Sequence, residues 1–163
     1  MQNLTPINPI SEVYNIDNME YMKTIPDKFF DLVIADPPYG ININVNMGRR
    51  KGDTKSNYKK FAGEDKEIPS KNYFEQIKRV SKNQIIWGGN YFPEFLPPSM
   101  GGCFWDKGQR IANSDGELAY TSFNRAMRVV EINRCFIQKD GGGFHPTQKP
   151  VALYEWLIRN YTK

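Results

Sequence analysis

Apolar residues along this chain fall first into alternating strand-like and helix-like runs, and later into hairpin-like strands. Val13-Tyr14-Asn15-Ile16 reads as a short strand, and Asp17-Asn18 caps a helix carrying Met19, Tyr21, Met22 and Ile25 until Pro26 breaks it. In Phe30-Asp31-Leu32-Val33-Ile34-Ala35 the apolar run is unbroken from Leu32, the pattern of a strand buried on both faces in a parallel sheet covered by helices. Pro69-Ser70 opens a second helix with Tyr73, Phe74, Ile77 and Val80 at helical spacing, and the buried strand Gln84-Ile85-Ile86-Trp87 follows it. Beyond Gly88-Gly89-Asn90, Pro93, Pro97 and Pro98 mark an irregular crossing. Cys103-Phe104-Trp105 and residues 117–123 then read as neighbouring strands, and residues 129–137 hold another. Gly141-Gly142-Gly143 interrupts the pattern, and Pro150 opens a last helix whose Tyr154, Leu157, Ile158 and Tyr161 share a face. The expectation is one domain over residues 1–163, a three-layer α/β/α fold whose sheet is mostly parallel with a C-terminal antiparallel part.

Composition narrows the functional classes only a little. At 163 residues and 39% hydrophobic the chain has enough apolar material for one core. Its 22 basic against 18 acidic residues give a net charge of +4, a mild bias whose distribution matters more than its size. Residues 47–60 concentrate six basic residues against one acidic and read as an exposed loop. No run approaches the roughly 18 apolar residues of a membrane span, and no signal peptide opens the chain, so a cytoplasmic protein without a membrane partner is expected. Cys103 and Cys135 lack CxxC spacing and read as buried reduced thiols. With a single histidine and no carboxylates clustered beside it, no metal site is expected.

The string with chemical content is Asp36-Pro37-Pro38-Tyr39, at the carboxyl end of a buried strand, where open α/β sheets place their ligands. At average residue usage it would arise by chance in a chain of this length only about once in a thousand. An exocyclic amine on adenine or cytosine is a poor nucleophile because its lone pair is delocalised into the ring. Two acceptors that draw its hydrogens out of conjugation would activate it. The Asp36 carboxylate and the Pro37 carbonyl are suited to that, with the proline ring pre-setting the backbone. Tyr39 would offer a stacking face to a base flipped out of a duplex.

Asp36-Pro37-Pro38-Tyr39-Gly40 resembles the catalytic motif of the DNA amino-methyltransferases that use S-adenosylmethionine. In that family DPPY is commoner among adenine-N6 enzymes and SPPY among cytosine-N4 enzymes, so the resemblance favours adenine N6 and keeps cytosine N4 as the alternative. Further along the chain, Asn15-Ile16-Asp17-Asn18 is similar to the family's contact with the cofactor adenine, and Trp87-Gly88-Gly89-Asn90-Tyr91 to its next strand end. His145-Pro146-Thr147-Gln148-Lys149-Pro150 is similar to the segment beside the cofactor's methionine part. The motif order resembles the permuted beta group, whose glycine-rich cofactor loop comes last. The resemblance implies a partial Rossmann-like sheet and catalytic roles for Asp36, Pro37, Pro38 and Tyr39. It implies cofactor contacts from Asp17, Asp36, Asn90, His145, Thr147, Lys149 and Pro150.

Two expectations follow from departures and from charge. The family continues beyond its last helix into a strand and a Gly-x-Gly-like loop, whereas this chain ends at Lys163, so the cofactor site is expected to be incomplete. A second polypeptide or a second copy would then complete the sheet. In the loop over residues 47–60, Arg49, Arg50, Lys51, Lys55, Lys59 and Lys60 could neutralise phosphates of double-stranded DNA, with Tyr58 available for stacking. An inactive DNA-binding remnant of such an enzyme is the rival reading. A related class with an Asn-Pro-Pro-Tyr motif, which modifies protein glutamine or RNA, places its glycine loop before the motif, and only 35 residues precede Asp36.

Overall fold

The computed structural model describes residues 11–41, 65–110, 114–141 and 147–162. The first helix, α1 (Asn18–Lys23), begins where one Asp17 carboxylate oxygen accepts from the backbone N–H groups of Met19 and Glu20, at 2.8 and 3.1 Å. The residues before it form no strand. Val13 is 94% exposed, and Tyr14 and Ile16 are also exposed, so the expected strand over residues 13–16 has no partner to pair with among the described residues.

Strand β1 (Phe30–Ala35) leads through the motif to residues outside the description, and the chain returns at Asp65. Helix α2 (Lys71–Val80) buries Phe74, Ile77 and Val80 and passes without a loop into β2 (Ser81–Trp87). Arg79 ties this helix to the end of α1: its guanidinium donates to the carbonyls of Met22 and Ile25 and pairs with Asp27. A single 3-10 turn (Gly89–Tyr91) follows β2. Then come β3 (Gly102–Asp106), β4 (Gly116–Thr121), β5 (Arg128–Glu131), the short α3 (Phe136–Lys139) and α4 (Val151–Tyr161). The strand expected within residues 129–137 is β5, and the end of that stretch enters α3.

The strands form one open five-stranded sheet in the order β1-β2-β4-β3-β5. β1 runs parallel to β2, and β3 parallel to β5, while β4 lies antiparallel between β2 and β3. The fold is thus mixed α/β: four strands share one direction and β4 opposes them, so parallel and antiparallel ladders are equal in number. β1 is packed on both faces, Leu32 and Ile34 against one apolar cluster and Phe30, Val33 and Ala35 against the other, as its apolar run suggested, but it is only partly buried because among the described residues it has a strand neighbour on one side alone.

Side chains alternate across the strands, and two apolar clusters result. Ile85 and Trp87 of β2 join Cys103, Trp105, Ala119 and Val130 against Leu153, Leu157 and Tyr161 of α4. Ile86 turns the other way, toward Met22 of α1, Phe74, Ile77 and Val80 of α2, and Phe92 and Leu96. The buried stripe of α4 is therefore 153/157/161. Ile158 is exposed and Tyr154 half-buried, a different register from the expected face. Trp87 and Trp105 are core residues, and Trp156 packs at the rim of the first cluster. Cys103 is buried as expected, whereas Cys135 is exposed, in a turn before α3. Among the described residues no helix is long and apolar enough to cross a membrane, and no group of three or more His, Cys, Asp or Glu could hold a metal ion.

Candidate functional site at the carboxyl end of the sheet

The directions of the strands gather chemistry at one end of the sheet. β1, β2 and β3 run out there into Asp36, Gly88 and Lys107, and the antiparallel β4 enters from the same end with Glu117 as its second residue. Leu32 and Ile34 pack into the cluster under α4, and Asp36 continues that alternation just past the strand. Lys149, the residue before the Pro150 cap of α4, reaches the same place.

There the side chains bond as a unit. The Lys149 ammonium donates to Asp36 Oδ1 at 2.6 Å and to Glu117 Oε2 at 3.1 Å. Tyr39 Oη lies 2.9 Å from Asp36 Oδ1, 3.1 Å from Glu117 Oε2 and 3.2 Å from Lys149 Nζ. A hydroxyl has one proton, so Tyr39 donates to one carboxylate and accepts from the lysine. Glu117 Oε1 receives the Lys107 ammonium at 2.8 Å. Burial and the two carboxylates push the Tyr39 phenol far above its ordinary value, which keeps it a donor. Burial would raise the Glu117 carboxyl, but Lys149 and Lys107 outweigh it and hold that group below its ordinary value. Tyr73 is pushed up to about 12 by burial and by the charge of Asp36, and Tyr154 is raised by burial and by the charges of Asp36 and Glu117.

The backbone holds the motif in shape. Asp65 Oδ1 accepts from the N–H groups of Tyr39 and Gly40, at 2.7 and 3.0 Å. The Tyr39 ring lies on Gly88, where a Cβ would meet its edge at 2.4 Å, and stacks on Tyr91 with centroids 5.0 Å apart. Gly88 also has φ +72°, a conformation that favours glycine. Beside the motif is an open cleft of about 350 Å³, at the lower end of the usual range for small-molecule sites. Asp36, Pro37 and Pro38 form one side of it, Asn18 and Met19 of α1 another, and the stretch from Glu67 to Ser70 with Tyr73 the third.

The expected site residues divide accordingly. Asp36, Tyr39 and Lys149 come together; Pro37 is buried and Pro38 exposed, both beside the cleft. Lys149 does not face the cleft as a cofactor ligand would: its side chain is 2% exposed and is bonded to the two carboxylates. Tyr39 turns its hydroxyl into the same network and one ring face to Tyr91, so the exposed aromatic of that stack is Tyr91. The Asp17 carboxylate is used as the cap of α1, while its neighbours Asn18 and Met19 line the cleft. Asn90 is exposed on the 3-10 turn, Thr147 is exposed two residues before Lys149, and Pro150 is buried. His145, Arg49, Arg50, Lys51, Lys55, Tyr58, Lys59 and Lys60 lie outside the described residues. Sequence reasoning missed Glu117, Lys107, Asp65, Tyr73 and Tyr91. Only strand register, which no local pattern carries, brings the first two to the motif. The chain matches no model of a known protein family.

Proposed function

We propose that the chain is the catalytic part of a DNA methyltransferase that transfers a methyl group from S-adenosylmethionine to adenine N6. The observation that carries this reading is the state of the Asp36 carboxylate. Both of its hydrogen bonds fall on Oδ1, Oδ2 has no partner among the described residues, and the residue borders the cleft. A carboxylate anchored by one oxygen and open at the other is suited to accept an N–H from an amine. Among the described residues nothing donates to the Pro37 carbonyl, which is the second acceptor the chemistry asks for. With both N–H bonds engaged the amine lone pair leaves conjugation and becomes nucleophilic. The alkylated amine then sheds a proton, so no strong base is required.

The cleft's residues fit the cofactor's chemistry. Carboxylates of Asp36 and Glu67 favour a cation, Asn18 and Ser70 offer polar contacts, and Met19, Ile68 and Tyr73 offer apolar and aromatic surface to an adenine ring. S-adenosylmethionine, when bound, supplies an electrophilic methyl group on a sulfonium. Helices in both apolar clusters and a sheet open at the β1 edge support a Rossmann-like layering to which a further strand, from a second polypeptide or a second copy, could add. Double-stranded DNA as substrate rests on the motif and on the basic run from Arg49 to Lys60.

The test is transfer of labelled methyl from S-adenosylmethionine to duplex DNA by the purified chain, alone and together with a polypeptide that supplies a further strand and a glycine-rich loop, with the product nucleoside identified after digestion. N6-methyladenine is expected, and Asp36→Ala should lower the rate by at least about a hundredfold, the loss usual for a group that acts on the reacting atoms. Retention of more than about a tenth of the rate in that variant, roughly 1.4 kcal/mol of barrier, sinks the assignment. DNA binding without transfer under either condition would identify the inactive remnant instead.

A further inference from the structure

The reading of Asp36 as an amine acceptor leaves a second carboxylate of the site without a role. Glu117 is 22% exposed and bonded at both oxygens, Oε1 to Lys107, and Oε2 to Lys149 and the Tyr39 hydroxyl. Isolated burial of a carboxylate is costly, and here it is compensated by charges that alternate along the chain of contacts Lys107, Glu117, Lys149, Asp36 and cancel formally. The arrangement also has a direction. Among the described residues, both groups that hydrogen-bond to Asp36 are held from behind by Glu117, and both land on Oδ1.

We propose that Glu117 is a positioning residue for Asp36: by bonding Lys149 and the Tyr39 hydroxyl from the far side, it confines both to Oδ1 and leaves Oδ2 to the substrate amine. The inference rests on the methyltransferase reading for the identity of that amine, and on the geometry alone for the rest. An ammonium with two carboxylate partners is drawn to a point between them. With Asp36 as its sole anionic partner, Lys149 would be attracted over both oxygens and would compete with the amine for Oδ2. A buried carboxylate that served folding alone could sit anywhere along the sheet, whereas this one touches both groups that touch Asp36.

The experiment compares the full chain with Glu117→Gln, which keeps the shape and removes the charge, and with Glu117→Asp, which keeps the charge. The first readout needs no turnover: carbon-13 spectra of aspartate-labelled protein, with the Asp36 carboxyl resonance identified by its loss in Asp36→Asn. That resonance should move in Glu117→Gln, while those of Asp27 and Asp31, which bond elsewhere, stay in place. The second readout is methyl transfer to duplex DNA. Turnover should fall about tenfold in Glu117→Gln with the KM for DNA within about threefold, and Glu117→Asp should recover part of the loss. An unmoved Asp36 resonance in a folded Glu117→Gln variant overturns the proposal, as does unchanged turnover. If Glu117→Gln does not fold, Glu117→Asp decides by the same resonance, because its shortened reach must also disturb Oδ1. A wild-type chain that transfers no methyl, alone or with a polypeptide supplying a further strand and glycine-rich loop, while the resonance moves in Glu117→Gln rejects the methyltransferase reading and upholds the positioning of Asp36.

Discussion

Replacing Lys149 with methionine, which keeps length and apolar bulk but removes the ammonium, should destabilise the fold by about 3 kcal/mol at pH 7.5. At an effective dielectric of about 20, ion pairs of 2.6 and 3.1 Å correspond to gross attractions of roughly 6 and 5 kcal/mol. Most of this is offset by the desolvation of the charges. What remains on removal is the cost of leaving two carboxylates without their shared cation, about 3–5 kcal/mol for a buried group. Water reaches Asp36 and Glu117, whose side chains are 29% and 22% exposed, so the lower end applies. For a domain of this size 3 kcal/mol lowers Tm by roughly 6–12 °C. Urea denaturation of both proteins across pH 4 to 8 is the assay, and its pH dependence is the sharper part. In the wild type Glu117 is held below its ordinary value of 4.5, so its contribution is present above that pH and is lost as pH falls through the folded-state value. Without Lys149, burial of Glu117 is opposed by Lys107 alone and its carboxyl should rise, so acid relieves the variant. The gap between the two proteins should narrow toward pH 4. A variant within about 1 kcal/mol of wild type at pH 7.5, or a gap indifferent to pH, would refute the shared-cation account.

Two further outcomes test the site's frame and the core. Gly88→Ala should cost about 2–4 kcal/mol in denaturant unfolding and change the near-ultraviolet signal of tyrosine, because the left-handed backbone strain adds to a Cβ placed 2.4 Å from the Tyr39 ring; unchanged stability would mean that the ring does not rest there. In the native protein at pH 8 an aromatic disulfide reagent should titrate Cys135 quickly and Cys103 only on unfolding, since burial pushes the Cys103 thiol up to about 11; equal rates would contradict its place in the core.

What the sequence made legible was local. The Asp17 cap, the strand at Phe30–Ala35 and the stripe of α2 all depend on residues within a few positions of one another, and each stands where the pattern put it. Residues 13–16 have a strand-like composition, but a strand exists only with a partner, and the described residues offer none. In α4 two overlapping helical faces are apolar, and the choice of Leu153 over Tyr154 and Ile158 was made by contact with Trp87, Trp105 and Cys103, not by periodicity. The site divides along the same line. Asp36, Tyr39 and Lys149 belong to recognisable strings, whereas Glu117 looks like an ordinary polar position in an alternating strand. Its role becomes visible once Trp105 pairs with Glu117 and Asp106 with Gly116, which sets Lys107 at its side.

The antiparallel course of β4 is therefore a condition of the site. Glu117 is the second residue of a six-residue strand. Had β4 run parallel to β2, its first residues would lie at the opposite end of the sheet, roughly 13–17 Å from Asp36 at about 3.3 Å per residue, beyond reach of any side chain. Register matters as much as direction. A slip of one residue in either ladder of β4 would turn Glu117 to the face of α2 and send Leu118 toward Lys149, stranding an ammonium in apolar surroundings. The charges of the network thus add to the penalty that the apolar core already sets on the wrong pairing, where Leu118 would have to enter the fully buried place of Ala119. The network that holds Asp36 acts together with the core to select the sheet register that creates it.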